Sequence, residues 1–105
     1  MILEWFNTKE VDALADRLAG DLIKRVPVEN IEAVGKKAES QKSRSREMLL
    51  RQVSEFTGNR KLNLFKKARL ANRFKWTLIE AGYPREFVDN MAFELAAVMA
   101  STQRA

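Results

Sequence analysis

The sequence predicts an all-α protein, a small irregular bundle of about four helices, and three observations carry that prediction. Apolar residues recur at helical spacing in long stretches of the chain. Gly occurs four times and Pro twice, too few for an architecture built on tight turns. Ala, Leu, Glu, Lys and Arg, the good helix formers, are abundant. A composition of 46% hydrophobic and 31% charged residues is that of a folded chain, able to offset the entropy of ordering by burial. At 105 residues it is read as one domain spanning 1–105.

The first helix is predicted over about 8–25. Asn7 and Glu10 have the spacing of a capping box, and Phe6 and Val11 that of a hydrophobic staple. Val11, Leu14, Ala15, Leu18, Leu22 and Val26 then form one apolar face, and Pro27 stops the helix. Gly20 in the interior suggests close packing.

The next stretch is poor in signal. Ile31, Val34 and Ala38 make at most a short amphipathic turn or two, with Asn30 as a candidate cap. The polar, serine-containing run from Lys36 to Arg46 offers little to a core. Residues 35–46 are therefore read as a flexible basic connector, a solvated helical extension being the other reading. A second helix is predicted over about 45–57, burying Leu49, Val53 and Phe56, with Met48 and Leu50 widening the face. Gly58 is placed in the left-handed position after it.

A third helix is predicted over about 63–81. Leu64, Ala68, Ala71, Phe74, Leu78 and Ile79 share a face, which Phe65 and Trp76 extend on one side and Leu70 and Ala81 on the other. This arc covers more than half the circumference, wider than a surface helix needs. It predicts a central helix packed on by at least two others, or one also covered by a second subunit. Gly82 ends it, and Pro84 and Glu86 suit the first turn of a fourth helix over about 84–100. Phe87, Val88, Met91, Ala92, Leu95, Val98 and Met99 form its stripe, and 101–105 is read as a fraying tail. Uneven helix lengths favour orthogonal packing over a coiled-coil-like bundle.

Charge is distributed unevenly. The net charge is +5, but the segment from Lys36 to Lys75 holds 13 basic and three acidic residues, a net of +10, leaving −5 on the rest. Lys66, Arg69 and Arg73 fall close together on the polar side of the third helix, with Arg60 and Lys61 just before it. These five are the candidate polyanion-binding residues, with the connector beside them. The other reading is an ordinary solvated stripe. A helix-turn-helix built on the third and fourth helices is disfavoured, since its recognition helix would carry Arg85, Glu86, Asp89 and Glu94 into a groove lined by phosphates.

Catalytic and metal chemistry find little to stand on. With no Cys and no His, disulfides, thiolate metal sites and His-based nucleophile activation are all excluded. No phosphate loop, EF-hand or dinucleotide fingerprint is present. No cofactor, metal or small-molecule ligand is implied. The run Leu95 to Ala100 is far short of the roughly 20 apolar residues that span a bilayer, so no membrane association is expected, and with no secretory signal the expected location is cytoplasmic. Lys75 falls near the middle of the third helix's apolar arc, where it is expected to snorkel or to pair with Asp12, Asp16, Asp89 or Glu94. Trp5, Phe6, Trp76 and Tyr83, and Met48, Met91 and Met99, are read as packing residues. The resulting functional expectation is a non-enzymatic, helical protein-interaction module that binds a separate protein partner or self-associates, a homodimer being one form of the latter. The alternative is a nucleic-acid-binding accessory protein using the basic 36–75 segment.

Overall fold

The computed structural model describes residues 7–32 and 34–102, Thr102 by its backbone alone. Four α-helices account for most of them: α1 (Lys9–Arg25), α2 (Lys36–Gly58), α3 (Leu64–Glu80) and α4 (Arg85–Thr102), with a short 3-10 turn, Val28–Asn30, between the first two. No strand occurs among the described residues, and the all-α bundle stands as the sequence predicts.

Each helix packs mainly on two others. α1 packs on α3, α3 on α4, α4 on α2 and α2 back on α1, so the four close into a ring around one core. Phe74 lies at its centre, fully buried with Leu14, Leu18, Leu70, Leu78, Val88, Leu95 and Met99. A large apolar side chain so placed contributes about 1.5–3 kcal/mol by leaving water.

Side-chain pairs give the helix directions. Asp12 meets Arg69 and Asp16 meets Arg73, while Val26 accepts a hydrogen bond from the Tyr83 phenol at 2.6 Å. All three pairs are 57 residues apart. A constant offset means that α1 and α3 run in the same sense and in register over most of their length. For this pair the expected orthogonal crossing is therefore overturned, because helices crossing at right angles meet at one place only. Arg17 with Gln52 and Gln41 with Arg25 run the opposite way, so α2 is antiparallel to α1. Lys75 with Asp89 and Trp76 with Arg85 make α4 antiparallel to α3.

The connector expected over 35–46 is instead helix. α2 begins at Lys36, and its 23 residues span about 34 Å. Gly35, at φ 115°, makes the left-handed entry that glycine alone adopts without strain. The segment is held by polar side chains rather than by a greasy face. Gln41 Nε2 donates to the Arg25 carbonyl at 2.8 Å and Lys42 Nζ to the Ile31 carbonyl at 2.8 Å, satisfying backbone acceptors that the end of α1 and the turn after it leave open. Arg46 grips Glu94 of α4 through two bonds of 2.8 Å, and Ser45 is buried. Hydrophobic periodicity is blind to such anchors.

Smaller differences lie at the helix ends. α1 starts at Lys9 without the reciprocal capping box: the Asn7 side chain accepts from the Lys9 N–H at 3.1 Å, and Glu10 turns to Arg60. The proposed staple through Phe6, and Trp5, lie outside the described residues. Gly58 is the last residue of α2 and has no positive φ. Gly82 does, at φ 100°, and closes α3 in a Schellman turn: its N–H bonds the Ile79 carbonyl while Tyr83 N–H bonds that of Leu78. The Asn63 side chain caps the other end of α3 by accepting from Lys66 N–H at 2.8 Å. α4 runs on to Thr102, two residues beyond its expected end, and the rest of the expected tail lies outside the described residues.

Candidate interaction surfaces

The five predicted polyanion-binding residues do not converge into one unpaired cationic face. Arg69 donates to Asp12 through Nε at 2.9 Å and Nη2 at 3.3 Å. Arg73 grips Asp16 at 2.8 and 3.1 Å and approaches Asp12 at 3.9 Å. Arg60 reaches Glu10 at 3.3 Å and lies 4.2 Å from the centre of the Phe56 ring. Lys61 is exposed and Lys66 partly buried at the start of α3, and neither joins an ion pair among the described residues. The acidic side of α1 thus neutralises much of the basic side of α3. The uneven charge of the sequence is in large part resolved within the molecule, between residues too far apart in the chain for one helical wheel to reveal.

These pairs set a pH response. The hydrogen bond from Arg69, opposed by burial and helped by one from Thr8, holds the Asp12 carboxyl below its ordinary value of 3.8. A carboxyl depressed in the folded state stabilises the fold above the unfolded-state value, and that contribution is lost as pH falls through the folded one. Asp12→Asn is therefore expected to lower stability at neutral pH while flattening the stability profile below about pH 4, read by thermal melts from pH 2 to 7. Equal pH dependence in the two proteins would contradict it.

Lys75 finds Asp89 at 3.3 Å with its side chain 25% exposed, so it is a half-buried, paired cation. Of the other three carboxylates expected as partners, Asp12 and Asp16 hold Arg69 and Arg73, and Glu94 holds Arg46.

The more unusual surface is apolar. Leu64 is 79%, Phe65 41%, Trp76 50% and Phe93 74% exposed, although Leu64, Phe65 and Trp76 were expected to pack. The arc of α3 is wide because it has three sides: one packs on α1, one on α4, and the third faces outward. Phe65, Ala68 and Trp76 line a groove of about 350 Å³ on that third side, with Asn72, Arg69 and Arg73 completing it. Phe93 lies on the neighbouring flank of α4, one turn beyond Asp89, which Lys75 ties to α3 beside Trp76. Arg85, one turn before Asp89, holds its guanidinium 5.6 Å from the Trp76 ring centre. Ala96, Ala97 and Ala100 are exposed beyond Phe93. Phe93 falls outside the stripe that sequence periodicity picks out for α4, and a lone phenylalanine on a polar face was the only signal it gave. Met48 also emerges, at 36% exposure, while Tyr83, Met91 and Met99 are buried as expected.

Among the described residues no group of three or more acidic side chains gathers to hold a metal ion, and no helix is long and apolar enough to cross a membrane. A cleft of about 460 Å³ between α1 and α2 is lined by Glu10, Arg17, Gln52, Phe56 and Arg60, whose polar side chains pair with each other along its walls, Arg17 with Gln52 and Arg60 with Glu10. Fold and surface together define a small all-α, four-helix protein with an apolar face left uncovered. No family model, curated protein or solved structure matches the chain.

Proposed function

We propose that this protein is a non-enzymatic, helical protein-interaction module that works as a symmetric homodimer, joined through the outer face of α3 and α4. The observation that carries this reading is the concentration of exposed Leu64, Phe65, Trp76 and Phe93 on two adjacent helices. Single exposed apolar residues are ordinary, but a patch of several aromatics is not.

Three features favour a second copy of the chain as the occupant. The face carries both knobs (Phe93, Trp76, Leu64) and hollows (the groove over Ala68, and Ala96, Ala97 and Ala100), the self-complementary pattern a two-fold interface requires. Its rim charges are mostly matched within the chain, Arg69 and Arg73 by α1 acids and Lys75 and Arg85 together by the single carboxylate of Asp89, which leaves one positive charge in excess among these groups and only weak repulsion between like copies. The exposed aromatic and aliphatic surface amounts to about 500 Å². With polar surroundings, it approaches the ~800 Å² per partner of a standard interface. In this arrangement Phe93 of each copy seats in the Phe65–Trp76 groove of the other.

Sedimentation equilibrium at tens of micromolar is expected to give twice the 12.1 kDa chain mass, and 1 M salt is expected to leave it unchanged, since apolar contacts are not screened. Trp76→Ala and Phe93→Ala are each expected to weaken dimerisation at least tenfold, the equivalent of 1.4 kcal/mol, with the helical circular dichroism retained. A strict monomer across that range, or a dimer indifferent to both substitutions, overturns the proposal.

A further inference from the structure

The outward side of α2 carries a row of cations that the fold does not use. Lys37, Arg44 and Arg51 recur every seventh residue, a repeat that brings a helical side chain back to within about 20° of the same bearing. The three stand in a nearly straight row about 21 Å long, with Lys36 beside its first member. All four are exposed, and none joins an ion pair among the described residues. Lys42 and Arg46, on the inward side of the same helix, are both engaged, with Ile31, Glu39 and Glu94. Much of the charge on α3 is likewise consumed by α1. Of the cations of the basic segment that join no ion pair among the described residues, four therefore stand on α2, and the other three, Lys61, Lys66 and Lys67, lie around the start of α3.

We infer that this row binds the phosphate backbone of a nucleic acid, without reading its sequence. Ser40 is exposed next to the row and adds a hydroxyl donor of the kind that contacts phosphate oxygens. A row of this length spans about six phosphates of one strand of a duplex, so three or four cations match a regular polyanion. A membrane surface fits less well. An interfacial helix needs an apolar face to insert, and α2 buries Leu49 and Val53 in the core, leaving only Met48 at the edge of the row. No aromatic side chain accompanies the cations, so bases have nothing to stack on. Two carboxylates oppose binding, Glu47 between Arg44 and Arg51 and Glu55 one turn beyond Arg51. The row shares none of the α3–α4 residues of the proposed dimer interface, and the two proposals stand or fall separately.

The test is fluorescence anisotropy of the full chain with a labelled 20-base-pair duplex and a single-stranded oligonucleotide of equal length. With three to four phosphates neutralised, duplex affinity is expected to fall about 40–150-fold between 50 and 200 mM salt. The Arg44→Gln/Arg51→Gln double variant, both positions exposed, is expected to reduce the magnitude of the salt slope by about two. Glu47→Gln is expected to tighten binding, a gain that a misfolded variant does not produce, and Lys24→Gln on α1 is expected to change nothing. Absence of binding at 50 mM salt overturns the inference, as does binding unaffected by the α2 variants. Equal or tighter binding to phosphatidylserine vesicles or to polyglutamate overturns the assignment to nucleic acid.

Discussion

Phe74→Ala is expected to destabilise the protein by about 3–5 kcal/mol, the range for truncating a fully buried phenylalanine. Phe74 has no exposed surface and sits on α3 between Leu70 and Leu78, where the sides facing α1 and α4 meet. Neighbouring helices relax only partly into the space left behind, because the close-packed side chains around it, Leu14, Leu18, Leu70, Leu78, Val88 and Leu95 among them, hold their own positions. A cavity therefore persists and adds its own cost to the lost transfer free energy. A domain of about 100 residues has only 5–15 kcal/mol in total, so the variant is expected to unfold at much lower urea, with an unchanged denaturant slope. A loss below 1 kcal/mol would mean that Phe74 is not buried in the core.

Ser43→Pro is the second large effect. Ser43 is exposed, so a flexible connector would accept proline at little cost. In a helix interior proline removes one hydrogen bond and clashes with the preceding turn, costing about 3 kcal/mol. Relief by unwinding 36–42 would release the Gln41 bond to Arg25 and the Lys42 bond to Ile31, exposing the end of α1. Thermal melting and helical circular dichroism are both expected to fall. Unchanged values would restore the connector.

What the sequence reveals and what it hides follow one physical line. Helices that bury an apolar stripe are legible: Val11 to Val26, Phe74 with Leu78, and Val88 to Met99 are buried as their spacing predicts. The first half of α2 was illegible because polar side chains anchor it to backbone carbonyls, an interaction without periodicity. The same limit applied to the candidate cation site. Arg69 and Arg73 look available until α1 is placed beside them, and pairing across 57 residues is a property of the fold. Conversely, the excess width of the α3 arc was readable, and its meaning, a side turned outward with Phe65 and Trp76 on it, needed the positions of α1 and α4.

The parallel, in-register pairing of α1 with α3 has a consequence for how the chain is made. During synthesis α1 emerges first, yet the helix that covers Leu14 and Leu18 is completed only at Glu80. Until some 55 further residues have left the ribosome, the oily side of the nascent α1 has at most α2 for cover. Its acidic face then serves as a solubilising flank, later converted into the seam that receives Arg69 and Arg73.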